Sequence, residues 1–450
     1  MSAKRWHGTA AGERVAGERE LLVAAGISAV GTGMYVPFTL VFFHQVTGLS
    51  FQAVGLVLTL TGLAGLALMP LAGVAVDRFG ARPAVLVLYG IRTLGFLLYP
   101  LATAPAAFAA VALFAALADR SVAVVQQSLI GEVARGAARD RLQASLRALQ
   151  NAGMGAGAMI VSGVLALWGT GGFSWTAWAN ALAFALAGLL AARVRPVRPV
   201  GGPAGAPAAT ARRPAAGYRT VLADRPFLAL TAANFLTALG YAALSVLFPL
   251  YIATWLRGPD SLTGAAFTLN TVLCAGVGVL IEGRVRRSGA RRTRSAALGA
   301  LLFAAAFTGQ IVLGTLRPGS AGLPAGLLVI VVVYTLGELV HSPSGGALSV
   351  SAAPEAVRGR YLATYQLSHS LAGALAPSLF TALLDVDGRL PWAVLAVAAL
   401  GAAGALVRLE RHLPAEAVYA EPPVATAVAA PAPVVAPVPA VVVARVPAAV

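Results

Sequence analysis

Long apolar stretches parted by short polar ones dominate the chain. Runs of bilayer length lie near 20–44, 51–76, 83–101, 105–127, 142–168 and 173–193, and again near 226–255, 262–284, 295–316, 322–350, 360–385 and 391–408. None shows strand-like alternation, and irregular backbone cannot face hydrocarbon, so each run predicts a spanning helix. The expected fold is an all-α membrane protein with twelve transmembrane helices in two pseudo-symmetric six-helix bundles, residues 1–193 and 226–408. Residues 194–225, rich in Pro, Gly, Ala and Arg, read as a basic cytoplasmic loop between the bundles. Residues 409–450 read as a disordered Ala/Val/Pro tail, because Pro431, Pro433, Pro437 and Pro439 forbid a regular span there.

Composition agrees. Of 450 residues 58% are hydrophobic and 11% charged, too few charges to cover a soluble surface. The net charge of +16 would suit nucleic acid if it were clustered, but the arginines come in small groups between apolar runs. Of the 33 Lys and Arg, 27 fall on one side of a twelve-span topology, whereas the loops of the other side hold only Arg257, Arg317 and Arg389. Positive charge stays cytoplasmic on insertion, which predicts a multi-pass protein of a bacterial plasma (inner) membrane with both termini cytoplasmic. The first apolar run is too long for a cleaved signal peptide and is read as a retained span. A lone Cys274 excludes a disulfide framework and a cysteine-based metal site, and reads as a small core residue. No phosphate-binding loop, HExxH or nucleophile elbow occurs, so no enzyme activity, cofactor or metal is expected.

The halves resemble each other in sequence. Asp119 precedes Arg139 by 20 residues and Glu338 precedes Arg358 by 20; the same offset of 219 pairs Arg147 with Gln366, Gln150 with His369 and Asn151 with Ser370. Such a repeat predicts a solute path between two bundles. Ionisable groups inside spans are costly unless they serve a path or a partner, which marks Arg92, Asp119, Arg120, Arg147 and Glu338. Helical spacing places Glu338, His341 and Ser342 on one face, and Gln366, His369 and Ser370 on another. It also groups Asp119 with Gln126, and Arg147 with Gln150 and Asn151. Asp119 and Arg120, adjacent and opposite in charge, are not expected to face one path together. Pro37, Pro70, Pro249, Pro343 and Pro377 are expected at bends.

Between the second and third spans the chain reads Gly73-Val-Ala-Val-Asp77-Arg78-Phe-Gly80-Ala-Arg82. This resembles the loop signature of the major facilitator superfamily, G-x-x-x-D-R-x-G-R-[RK], with Ala81 at the first basic position. The two six-span halves and basic central loop extend the resemblance to the whole chain. It implies a secondary carrier working by alternating access on a small-molecule substrate in the lipid bilayer, with protons as the expected partner ion. A monomer with no nucleic-acid partner is expected. In style it is closest to the drug/proton antiporter-like branch: Arg120 resembles the fourth-span arginine of drug exporters, and Asn151-Ala-Gly-Met-Gly155-Ala-Gly157 is glycine-rich like the antiporter fifth span, without its Gly-Pro pair. Efflux of a small amphipathic compound is the leading expectation. An uptake symporter or uniporter, a non-transporting sensor and a membrane-embedded lipid enzyme are the alternatives. The resemblance further implies a conformational latch, in which Gly73, Asp77, Arg78, Gly80 and Arg82 face the start of the eleventh span at Arg358 and Arg360. In the second copy of the loop Arg286 takes the place of Asp77, which suggests a swapped pair, Asp140 answering Arg286 or Arg291.

Overall fold

The computed structural model describes residues 17–102, 104–133, 136–194, 218–259, 261–287, 291–319, 321–354 and 357–419. Among these, eleven segments are long and apolar enough to cross a membrane. The helix Phe51–Phe79 completes twelve. The first span is Glu18–Tyr35, continued through a turn at Val36–Phe38 into Thr39–Thr47. Spans two to six are Phe51–Phe79, Ala81–Leu98, Pro105–Val133, Gly136–Trp168 and Gly172–Ala191. The seventh begins as Arg225–Ala242, and spans eight to twelve are Ser261–Arg287, Arg292–Leu316, Gly322–Ala352, Arg358–Val386 and Leu390–Leu409. Several helices overrun their apolar cores: the fifth starts six residues before the predicted 142, because a polar first turn costs nothing outside hydrocarbon.

Local chemistry sets the ends. Ser50 accepts a hydrogen bond from the Ala53 amide at the start of the second span, and Asp224 does the same for Phe227 at the seventh. Gly80, at φ +88°, makes the sharp turn between spans two and three that a side chain would strain.

The packing order repeats. In the first half, span 1 lies against 5 and 6, span 3 against 4 and 6, and span 2 against 4. Adding six to each number gives the second half: 7 against 11 and 12, 9 against 10 and 12, 8 against 10. The halves meet where span 2 packs on 11 and span 5 on 8, a pair of contacts that the same pseudo-twofold exchanges. The apolar cores interlock across this seam. Leu250 of the seventh span belongs to the first half's core, and Ala158 of the fifth to the second's.

Glycines allow the close approaches. A Cβ at Gly157 would collide with the carbonyl of Val30 on the first span, and one at Gly155 would press on Thr271 of the eighth. The fifth-span glycines that resemble an antiporter signature are therefore packing residues here.

The seventh span departs from α geometry twice, in wide π turns at Ala243–Leu247 and Ile252–Leu256 that flank Pro249. The first span has its 3₁₀ turn at Pro37, and these two irregular segments touch across the seam. Pro343 and Pro377, expected at bends, sit inside continuous helices.

The predicted tail needs correction at its start. Residues 410–419 fold back under the second half, with a helical turn at Ala415–Val418. Leu413, Ala417 and Val418 are buried against spans nine and ten. Arg292 donates to Ser351 and to the carbonyls of Glu416 and Ala417. Proline-rich composition hid this because three buried apolar side chains and one arginine suffice to hold ten residues. The remainder of the predicted tail lies outside the described residues.

Candidate transport site

In the first half the third span presents Arg92 and the fourth presents Asp119, at equal depth. Arg92 Nε donates to Asp119 Oδ1 at 2.7 Å, and its guanidinium lies 4.1 Å from the Phe184 ring centroid of the sixth span. The arginine side chain is 7% exposed and the carboxylate 28%. Sequence reasoning selected both residues without pairing them; the pairing rests on spans 3 and 4 being neighbours.

This pair lines a cavity of about 410 Å³. Asp119, Gln126, Gln150 and Asn151 line it, together with Tyr35 and Tyr89, which helical spacing did not mark. Gln150 donates to Gln126 across it at 3.3 Å. A second cavity of about 190 Å³ lies toward the eleventh span, lined by Thr61, Gly62, Arg120, Gly373 and Pro377. Asp119 and Arg120 both line this second cavity, contrary to expectation. Successive helical residues point about 100° apart, and a cavity that wraps the helix admits both.

The second half carries a different arrangement at the equivalent depth. Glu338 is half-buried in the tenth span, and its Oε2 accepts from Asn270 of the eighth at 3.0 Å. Asn270 also donates to Thr335. His341, buried, meets the Tyr241 hydroxyl through Nδ1 at 3.1 Å, and the Tyr241 ring lies 6.0 Å from that of His369. Among the described residues no ion pair includes Glu338. The ninth span, which replaces the third, offers no basic residue between Arg294 and Arg317. Gln366 and His369 are exposed on the eleventh span.

The halves close at their arginine-poor end. Ser378 donates its amide to Thr59 and its hydroxyl to the Gly55 carbonyl, and Gln52 donates to Asp385. A Cβ at Gly55 would strike Thr381 and the Pro377 carbonyl, so this contact is backbone-close. Just beyond it, in the Asp387–Arg389 turn, the arginine holds the Asp387 carboxyl below the usual carboxylate range.

The expected latch is only partly placed. The surroundings of Gly73 and the side chains of Asp77, Asp140, Arg147 and Arg286 lie outside the described residues. Arg78 is exposed, with its guanidinium 5.4 Å from the Phe79 ring. Arg358 is exposed and Arg360 half-buried in the first turn of the eleventh span. Arg82 does not face that span. It donates to the Ala192 carbonyl at the C-terminal end of the sixth, where carbonyls without helical partners favour a cation. Arg291 follows the same plan: it pairs with Glu410 at the end of the twelfth span, a carboxylate that also accepts from Thr293 and Arg294. Each half thus has its loop arginine tied to the end of its own last span.

Comparison with known proteins agrees with this architecture. The chain is 28% identical to the multidrug resistance protein MdtH of Photorhabdus laumondii over 380 residues, 82% of this chain and 88% of that one. It is 25% identical to MdtH of Proteus mirabilis over 392 residues, covering 85% and 92%. Among solved structures, a D-xylose-proton symporter superposes with a TM-score of 0.68 at 15% identity, over 89% of this chain and 98% of that one. A bacterial homologue of the iron transporter ferroportin, in an inward-facing state, superposes with a TM-score of 0.69 at 15% identity, over 87% and 98%. The family model of the Major Facilitator Superfamily matches residues 21–309 and 230–447. Twelve spans in two like-packed halves, with that match running through both, place this chain in the Major Facilitator Superfamily.

Proposed function

We propose that this transporter exports a small amphipathic compound in exchange for protons, by rocking its halves about a site at mid-membrane. The observation that carries proton coupling is the unequal treatment of two equivalent acids. Asp119 is neutralised by Arg92, whereas Glu338 is held by the neutral amide of Asn270. A carboxylate with no cation beside it at mid-membrane is costly as an anion, and binding a proton relieves that cost. Its protonation state then biases which conformation is favoured. The export direction is supported by relatives named as multidrug resistance proteins. With both termini cytoplasmic, as the arginine distribution argues, the hydrogen-bonded seal at Gly55 and Ser378 lies on the outer side, and the exposed Gln366 and His369 lie nearer the inner one.

The test is solute-driven proton flux in proteoliposomes, with native protein and Glu338→Gln compared over a compound panel. Coupled export predicts compounds that move protons outward to inward only with Glu338 intact. Flux of a compound that is unchanged by the substitution would remove Glu338 as the coupling acid. Accumulation together with protons would assign uptake symport.

A further inference from the structure

Among the described residues the two first-half cavities share two wall residues, Tyr35 and Asp119. Asp119 is anchored by Arg92, so it is not free to swing aside. Tyr35 occupies the last position of the first span's regular helix, immediately before the 3₁₀ turn at Val36–Phe38. Its ring packs edge-on against Phe96, with centroids 4.8 Å apart, and Phe43 flanks it at 6.3 Å. Phe96 is 2% exposed and itself braced by Tyr99 and Phe184. The bulky part of the partition is therefore the Tyr35 ring, standing beside the anchored Asp119 carboxylate and held from behind by a close-packed aromatic cluster, and such clusters do not yield continuously.

We propose that Tyr35 is the specificity-determining partition of this site. It divides the polar chamber beside Arg92 and Asp119 from the smaller, Arg120-bearing one, and so limits the size of compound that either chamber accommodates. The inference rests on the transport reading for its meaning, but the partition itself is testable apart from transport. Removing the ring opens space on the order of 100 Å³, the scale left by deleting one large core side chain, and joins the two chambers. Only bulk is needed, so Tyr35→Phe keeps the partition while losing the hydroxyl.

The experiment uses the purified full-length chain in a Cys274→Ser background, with Thr61→Cys as the reporter in the smaller chamber. Labelling rates are taken with methyl methanethiosulfonate and with the bulkier trimethylammonium-ethyl reagent. With Tyr35 or Phe at position 35, the small reagent is favoured. Tyr35→Ala narrows the ratio of rates by about tenfold, the scale of discrimination that pocket bulk supplies. A Ser28→Cys reporter in the larger chamber keeps its ratio in all three. Should Tyr35→Ala not yield folded protein by size exclusion, Tyr35→Leu replaces it with the same direction expected. An unchanged Thr61→Cys ratio in the smaller variant overturns the partition. Loss of discrimination in Tyr35→Phe as well would show that the hydroxyl, and not the ring, closes the chamber, and overturns it too. In parallel, proteoliposomes are loaded with tetraethyl-, tetrapropyl- and tetrabutylammonium, where the Ala variant is expected to extend the range to larger members. Native protein that moves none of them counts against the transport reading, while the labelling ratio still decides the partition.

Discussion

The first and second halves repeat one helix-packing plan, yet they solve the problem of a mid-membrane acid in opposite ways. In the first half the charge is cancelled: Asp119 has Arg92 as its partner, and Phe184 covers the guanidinium. In the second half the acid is left with neutral donors, while the histidine beside it is occupied by a tyrosine hydroxyl. The pair is costly to break and has little reason to change; the lone acid is cheap to change chemically and costly to leave charged. Duplicated architecture thus separates a structural task from a switching one. The packing difference that permits this is small, since span 3 carries an arginine at this depth where span 9 does not.

The comparison is broken most severely through Arg92. Arg92→Met leaves Asp119 as an uncompensated charge and is expected to cost about 3–5 kcal/mol, read as a lowered unfolding temperature in detergent. The double variant Arg92→Met/Asp119→Asn is expected to recover most of that loss. Little or no recovery would show that Arg92 matters through Phe184 and not through its partner.

Glu338→Gln sharpens the contrast from the other side. The amide still accepts from Asn270, so stability is expected to change by less than about 1 kcal/mol while proton-coupled flux is lost. Equal destabilisation by Arg92→Met and Glu338→Gln would abolish the distinction between the halves. Tyr241→Phe removes the hydroxyl that meets buried His341 and is expected to cost about 1–3 kcal/mol, measured by chemical denaturation.

The loop clamps allow a gentler comparison. Glu410→Gln removes the charge that answers Arg291 and Arg294, and about 1 kcal/mol or less is expected at this partly exposed site. Arg82→Ala is expected to cost a similar amount in the first half, through the lost bond to the Ala192 carbonyl. The smallest effect belongs to Asp387. Its carboxyl is held low by Arg389, so the folded state binds that proton more weakly than the unfolded chain. Its contribution is present above the ordinary carboxylate value and is lost as pH falls through the folded one. The acid-side slope of unfolding temperature should therefore flatten slightly in Asp387→Asn.

Hydropathy and arginine placement carried the spans, their order and the bundle division, because lipid imposes a length and composition that sequence must satisfy. Intramembrane charge likewise marked Arg92, Asp119 and Glu338. What stayed hidden was pairing across spans. That Arg92 meets Asp119, that Glu338 meets Asn270, and that Arg82 and Arg291 reach the ends of the sixth and twelfth spans depend on which helices adjoin. Tyr35 was missed for a related reason: an aromatic near the end of an apolar run has no sequence signal beyond packing. The folded-back segment at 410–419 was missed because composition speaks of a whole stretch, whereas Leu413, Ala417 and Val418 act singly.

That segment has a practical consequence. Because Arg292 and buried Ala417 fasten it beneath spans nine and ten, a fluorophore at Tyr419 would travel with the second half as part of one body. Paired with a second dye at Phe79, at the exposed end of the second span, it would turn the relative motion of the halves into a distance that a single molecule reports.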